Sequence, residues 1–208
     1  MILKMSRRLR GRDEFRFFSH WLRHPGRLGA VVPSSRALAA ALAAEIDAEA
    51  PGAVIELGPG TGRVTEALIA ANVAPGQLVA IERNASFCNP LRRRFPGVQI
   101  VWGDARALGS LLQRTGVRSV KAVVSSLPLL SMTARDRDVV LSQVAAVLGA
   151  EGVLVQYTYG PAAPVPPELG VELGLVGERT NWVLVNLPPA AVWRYSRAES
   201  PPDLPRAA

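Results

Sequence analysis

Cysteine is almost absent: the single Cys88 excludes an internal disulfide framework and any zinc site built on cysteines. Histidine is nearly as scarce, with only His20 and His24, both close to the start. No apolar run approaches the roughly 18–20 residues that a membrane-crossing helix needs. The first residues are basic, yet no apolar h-region or small-residue cleavage site follows, so no signal peptide is expected. The 18 glycines and 17 prolines follow no period, which excludes a collagen-like chain. With 49% hydrophobic residues the chain is not a disordered tail, and 208 residues suffice for one domain with a sizeable core. A cytoplasmic protein, soluble or surface-bound, is expected.

The formal charge is +7, and it is unevenly placed. Residues 1–28 carry eight basic side chains against only Asp13 and Glu14, so this arm holds +6 and the rest of the chain +1. Such an arm suits an anionic partner: nucleic acid, a membrane surface or an acidic protein. At 100° per residue, Ile2, Met5 and Leu9 share one face, with Lys4, Arg7, Arg8 and Arg10 spread over the other. Beyond Gly11, Phe15, Phe18, Trp21 and Leu22 share a face opposite Arg12, Arg16 and Arg23. The two apolar faces are half a turn out of register, so Gly11 marks a break between two short basic amphipathic segments.

From Pro51 onward short apolar runs alternate with amphipathic stretches. The runs are Ala53–Leu57, Leu78–Glu82, Val98–Trp102, Ser119–Ser126 and Gly152–Tyr157, and helices are expected over Gly62–Asn72, Ser86–Arg94, Arg106–Arg114 and Thr133–Leu148. This alternation predicts an α/β fold with a mostly parallel, Rossmann-like sheet. After the Pro-rich Gly160–Pro167, strands over Val171–Asn186 and Val192–Arg197 would form a C-terminal hairpin that brings an antiparallel strand into the sheet. Ser34-Ser35 can cap a helix over Ala37–Ala48. A single folded domain over residues 29–199 and a disordered tail over 200–208 complete the expected organisation.

Gly58-Pro59-Gly60-Thr61-Gly62 follows the first strand and opens a helix, where a backbone can approach a ligand closely. The dinucleotide fingerprint would need glycine at position 63, which is Arg63, and no P-loop lysine follows. Glu56 would repel phosphate but suits an ammonium group. The segment resembles motif I of the class I S-adenosylmethionine (SAM)-dependent methyltransferases, over about residues 53–197. That resemblance implies SAM as cofactor, with Glu56, Gly58, Gly60, Thr61 and Gly62 around its methionine part. It also implies Glu82, with Arg83, at the ribose and Asp104, with Ala105, at the adenine. Ser34 and Ser126 join this set, Ser34 toward the methionine carboxylate.

After the fourth strand the chain reads Ser126-Leu127-Pro128-Leu129-Leu130. Base-amine methyltransferases usually place an Asn or Asp and an aromatic ring there, and this chain has neither. His20–Pro25, Gly29–Arg36, Ser126–Leu130 and Asn186–Tyr195 resemble signatures of the bacterial phospholipid N-methyltransferases. The resemblance implies methylation of phosphatidylethanolamine toward phosphatidylcholine, at the inner face of the membrane, with residues 1–28 on anionic lipid and no nucleic-acid partner. His20, Tyr157 and Tyr159 are then the candidate catalytic residues, and Trp21, Arg179, Trp193 and Arg194 the candidate substrate contacts. Two other readings stay open: an rRNA or tRNA base methyltransferase using the arm on RNA, and a non-catalytic SAM-binding module at a membrane.

Overall fold

The computed structural model describes residues 35–198. The arm 1–28, with His20 and Trp21, as well as Ser34 and the tail 200–208, lies outside the described residues.

Ser35 caps the first helix, α1 (Arg36–Ala43), its side chain accepting the Leu38 N–H at 3.1 Å. Alanine and leucine favour a helix here, but it ends at Ala43 rather than at the expected Ala48. Asp47 accepts the N–H groups of Glu49 and Ala50, and this local turn replaces the last helical turns. The parallel core then runs β1 (Ala53–Leu57), α2 (Arg63–Ala70), β2 (Leu78–Glu82), α3 (Ala85–Arg94), β3 (Gln99–Trp102), α4 (Leu108–Gln113), β4 (Val120–Ser125), α5 (Ala134–Val147) and β5 (Val153–Tyr159). β1 and β2 have the bounds that the apolar runs predict, and the other elements agree within a few residues.

The C-terminal region departs from expectation. Residues Pro167–Leu173 form a helix, α6, which stops at Gly174 in the left-handed conformation with φ 62°. A strand over Val171–Asn186 is therefore shortened at both ends to β6 (Leu175–Val183), followed by β7 (Ala190–Arg197). Pro166 and Pro167 start the helix, where a missing N–H costs nothing, and so convert the end of the Pro-rich segment into structure.

The seven strands lie in the order β3-β2-β1-β4-β5-β7-β6. Pairs among β1–β5 are parallel, and β7 runs antiparallel to both β5 and β6. One face of the sheet packs α1, α2 and α3 through residues such as Leu38, Leu42, Val54, Leu68, Leu91 and Val155. The other packs α4 and α5 through Ile55, Leu57, Leu108, Leu141 and Leu154. This is a Rossmann-like fold with helices on both faces, as the alternation of elements predicts. Because β1 sends the chain outward to β2 and β3 and back to β4, a crevice opens at the carboxyl ends of β1 and β4, where such sheets hold ligands. Among the described residues no helix is long and apolar enough to cross a membrane.

Candidate functional site at the carboxyl edge of the sheet

The glycine loop is shaped by conformations that only glycine adopts freely. Gly58, Gly60 and Gly62 have φ of 72°, 54° and 82°. At Gly62, a Cβ would come within 2.4 Å of the Phe95 ring, so this glycine also lets α2 pack on α3. Gly60 differs: nothing lies within 4 Å of where its Cβ would be. Its lack of a side chain leaves open space beside the loop rather than room for a protein neighbour.

Two acids flank this loop in opposite states. Glu82, at the end of β2, accepts the Gly60 N–H at 3.1 Å and the Asn84 N–H at 2.7 Å, one on each oxygen. It fixes the loop against β2 and keeps lone pairs for further donors. Glu56 is fully buried, and Thr65 Oγ1 donates to its Oε2 at 2.6 Å. Its Oε1 is buried without a hydrogen-bond partner. Burial pushes the carboxyl up from 4.5 to about 7, against the side-chain and backbone hydrogen bonds of Thr65, which pull it down. An unpaired buried carboxyl oxygen is costly to keep, and a ligand ammonium would satisfy it. The residues therefore fit SAM: Glu56 toward the ammonium, Gly60 as the open wall and Glu82 toward hydroxyl donors.

Asp104 lies on the β3 side of the same edge. Arg106 clamps it with Nε to Oδ1 at 3.1 Å and a terminal nitrogen to Oδ2 at 2.8 Å, while Arg83 stands 3.9 Å away. The hydrogen bond from Arg106 is the main cause holding its carboxyl below the usual range. Arg106 also reaches Asp136 at 2.8 Å. The start of α5 is thus tied to Asp104 through Arg106. Ala105 begins the turn that follows, and Thr61 lends its carbonyl to Arg94 at 2.9 Å.

On the other side of β1, the strand register lines up the acceptor candidates. Leu57 pairs with Ser125, and Ser125 with Gln156, which puts Gly58, Ser126 and Tyr157 in one row across the edge. Ser126 Oγ is a second buried oxygen without a partner. Tyr157 and Tyr159 meet edge to face with ring centroids 5.4 Å apart, on the same face of the sheet as Glu56. Burial, followed by the influence of Tyr157, raises the Tyr159 hydroxyl well above its ordinary value, so it stays neutral.

The remaining candidates stand apart from this row. Trp193 packs on the opposite face and donates its indole N–H to Thr158 at 3.0 Å. Arg194 pairs with Val155 in mid-sheet, away from the edge where Tyr159 meets Ala190. Arg179 lies on the outer strand over the Trp182 ring, 5.3 Å from its centroid.

Three participants escaped the sequence reading besides Arg106. Thr65, the partner of Glu56, carries no signal beyond its place in the helix after the loop. Gln156, 1% exposed, donates to the Leu127 carbonyl at 3.0 Å and so pins the loop after β4. A lone amide inside an apolar run was its visible signal. Asn186 is buried between β6 and β7, accepts the Ser35 N–H at 3.2 Å and donates to the Pro188 carbonyl at 2.7 Å.

No protein-family model matches the chain. It is 32% identical over 154 residues to the ornithine lipid N-methyltransferase of Singulisphaera acidiphila, a match over 72% of this chain and 80% of that one. A ribosomal RNA small subunit methyltransferase A from a Synechococcus strain is 39% identical over 93 residues, but only across 43% of this chain and 30% of its own length. Among solved structures, the glycopeptide N-methyltransferase MtfA complexed with SAM superposes with a TM-score of 0.61 at 15% identity, over 80% of this chain and 95% of that one.

Proposed function

The chain belongs to the class I SAM-dependent methyltransferases, in the family of the Singulisphaera ornithine lipid N-methyltransferase, and from that premise we propose that its methyl acceptor is the primary amine of a membrane-lipid head group. The observation that carries this reading is the loop after β4. It sets Leu127 against Gly58 of the glycine loop and exposes Pro128, with neither the amide nor the ring that would hold a planar base. Such a wall suits an amine carried on an apolar molecule.

Bound SAM supplies a methyl group already activated by the positive sulfonium, so the protein's task is positioning and desolvation. Glu56 would hold the ammonium of its methionine part, the glycine loop the neighbouring backbone, and Glu82 the ribose hydroxyls. Tyr157 and Tyr159 orient the acceptor nitrogen through their hydroxyls, and their ring faces attract the methylated ammonium products. The acceptor must lose a proton before attack, a role we assign to His20 in the arm. The basic amphipathic arm then holds the protein at the anionic inner face of the membrane.

Two lipids share the required chemistry: phosphatidylethanolamine, and the ornithine lipid named in the relative. Vesicles of either lipid, and total RNA, incubated with radiolabelled SAM separate the possibilities. Label is expected in the lipid amine; whichever vesicle takes it identifies the head group. Label in RNA and in neither lipid would overturn the reading in favour of base methylation.

A further inference from the structure

Eight large apolar side chains are exposed among the described residues, and four of them, Trp182, Leu184, Val185 and Leu187, fall within residues 182–187. Leu184, Val185 and Leu187 are 73%, 81% and 87% exposed. Flexible tips often show scattered apolar residues, but this one is held. Asn186 sits in its middle, 4% exposed, with its backbone N–H on the Val183 carbonyl and its amide bridging Ser35 and Pro188. A buried polar anchor with apolar side chains turned outward on both sides is the reverse of ordinary loop patterning.

From this we propose that the β6–β7 loop is a membrane-docking element of its own, which inserts Leu184, Val185 and Leu187 into an anionic bilayer. The inference starts from the lipid reading above, and three observations commit the surface to a bilayer. First, residues 180–193 carry no charged side chain of either sign, and arginines, Arg179 and Arg194, flank them. Second, Arg179 lies over the Trp182 ring, and Trp182 is 36% exposed, an amphipathic pair of the kind that settles at the lipid–water boundary. Third, the loop holds the first described residue, Ser35, through Asn186, and the sequence before that residue carries +6 over residues 1–28. The loop therefore offers exposed apolar side chains with a cationic one beside them, the two contributions that stable surface binding combines.

The position suits the proposed reaction. The Val183–Ala190 pair closes β6 onto β7, and Ala190 pairs with Tyr159. A tip inserted in the head-group region would thus bring the Tyr157–Tyr159 side of the crevice down to the lipid amines, so that an acceptor need not leave the bilayer.

The test uses the full chain and vesicles of phosphatidylglycerol and phosphatidylcholine, which carry no primary amine and so report docking apart from methyl transfer. Replacing Leu184→Ser, Val185→Ser and Leu187→Ser together should lower vesicle affinity at least tenfold while SAM affinity stays unchanged. An environment-sensitive fluorophore on Val185→Cys should shift to the blue on vesicle addition; Cys88 is buried and does not compete for the label. If the triple variant loses SAM binding as well, the Val185→Cys probe decides alone. Unchanged vesicle affinity in a SAM-binding triple variant, or a probe that does not respond, would overturn the proposal. A probe shift that follows protein concentration without vesicles would overturn it too, in favour of a second copy of this chain. Loop-dependent docking without methyl transfer to either amine-bearing lipid would sink the proposed activity and leave this surface standing.

Discussion

Thr65 Oγ1 donates a 2.6 Å hydrogen bond to Glu56 Oε2, and Oε1 of the same buried carboxyl has no partner. The protein thus keeps a half-satisfied acid buried at the carboxyl edge of its sheet. Burial is the main cause that raises this group from 4.5 to about 7. A raised carboxyl means that the folded chain binds more protons than the unfolded one between those values. Stability from this group therefore falls as pH rises from about 4.5 through 7, with a total penalty on the order of 3 kcal/mol above that window.

Relief of that penalty by an ammonium ligand gives the first prediction. SAM affinity should rise roughly eightfold from pH 6 to pH 7.5, following ionisation of a group near 7. Binding near pH 6.5 should release a proton, seen as a dependence of calorimetric heat on the buffer. Glu56→Gln should remove the pH dependence, stabilise the ligand-free protein at pH 8, and weaken SAM binding by at least a hundredfold, about 3 kcal/mol. A variant that keeps native affinity would show that the carboxylate does not meet the ammonium.

Two glycines of one loop should separate folding from binding. Gly62→Ala places a methyl group against the Phe95 and Leu91 side chains at a φ of 82°, so the thermal midpoint should drop, with a loss of about 2–4 kcal/mol. Gly60→Ala meets nothing in the protein and should cost only about 1 kcal/mol of stability from its left-handed backbone. Its SAM affinity should nevertheless fall at least tenfold, because the methyl group enters the open side of the loop. Equal effects of the two variants on melting and on titration would contradict this division.

The parts of the fold legible in the sequence were those set by local pattern. Ala53–Leu57 and Leu78–Glu82 are short apolar runs ending in turn or acidic residues, and both strands begin and end where that pattern does. The glycine spacing, with Glu56 and Glu82 at strand ends, pointed to the candidate cofactor crevice for the same reason. What stayed hidden was set by partners distant along the chain. Arg106 looked like one charge in a helix, yet its role depends on Asp136, thirty residues away. Asn186 matters through Ser35, at the opposite end of the described chain. Val171–Leu173 was misread because its apolar residues continue those of β6; Gly174, which breaks the two apart, needed a left-handed conformation that composition alone does not reveal.

Gln156 offers a test of the acceptor loop that leaves the cofactor alone. Its amide nitrogen donates to the carbonyls of Leu127 and Tyr157, at 3.0 and 2.8 Å, from inside the sheet. Gln156→Leu keeps the burial but removes the donors, leaving the Leu127 carbonyl unpaired at a cost of about 1–3 kcal/mol. The turnover number for lipid methylation should fall about tenfold or more, with SAM affinity within twofold of the native value. Activity that survives intact would show that the loop after β4 holds its shape without this tether.

Tyr159 separates an orienting hydroxyl from a base. Burial, then Tyr157, raises its ionisation well above the ordinary value for tyrosine, so no tyrosinate forms at working pH. If the hydroxyl only positions the amine, Tyr159→Phe should lower the turnover number about ten- to a hundredfold, the range set by losing one well-placed hydrogen bond. The pH–rate profiles of the variant and the native protein should then run parallel from pH 7 to pH 10. A tyrosine acting as base predicts otherwise: its removal would abolish an ionisation present in the native profile. Tyr157→Phe, measured alongside, shows whether the edge-to-face pair acts as a unit, because in that case the double variant loses little more than either single one. Losses that simply multiply would mean that each hydroxyl holds the acceptor independently.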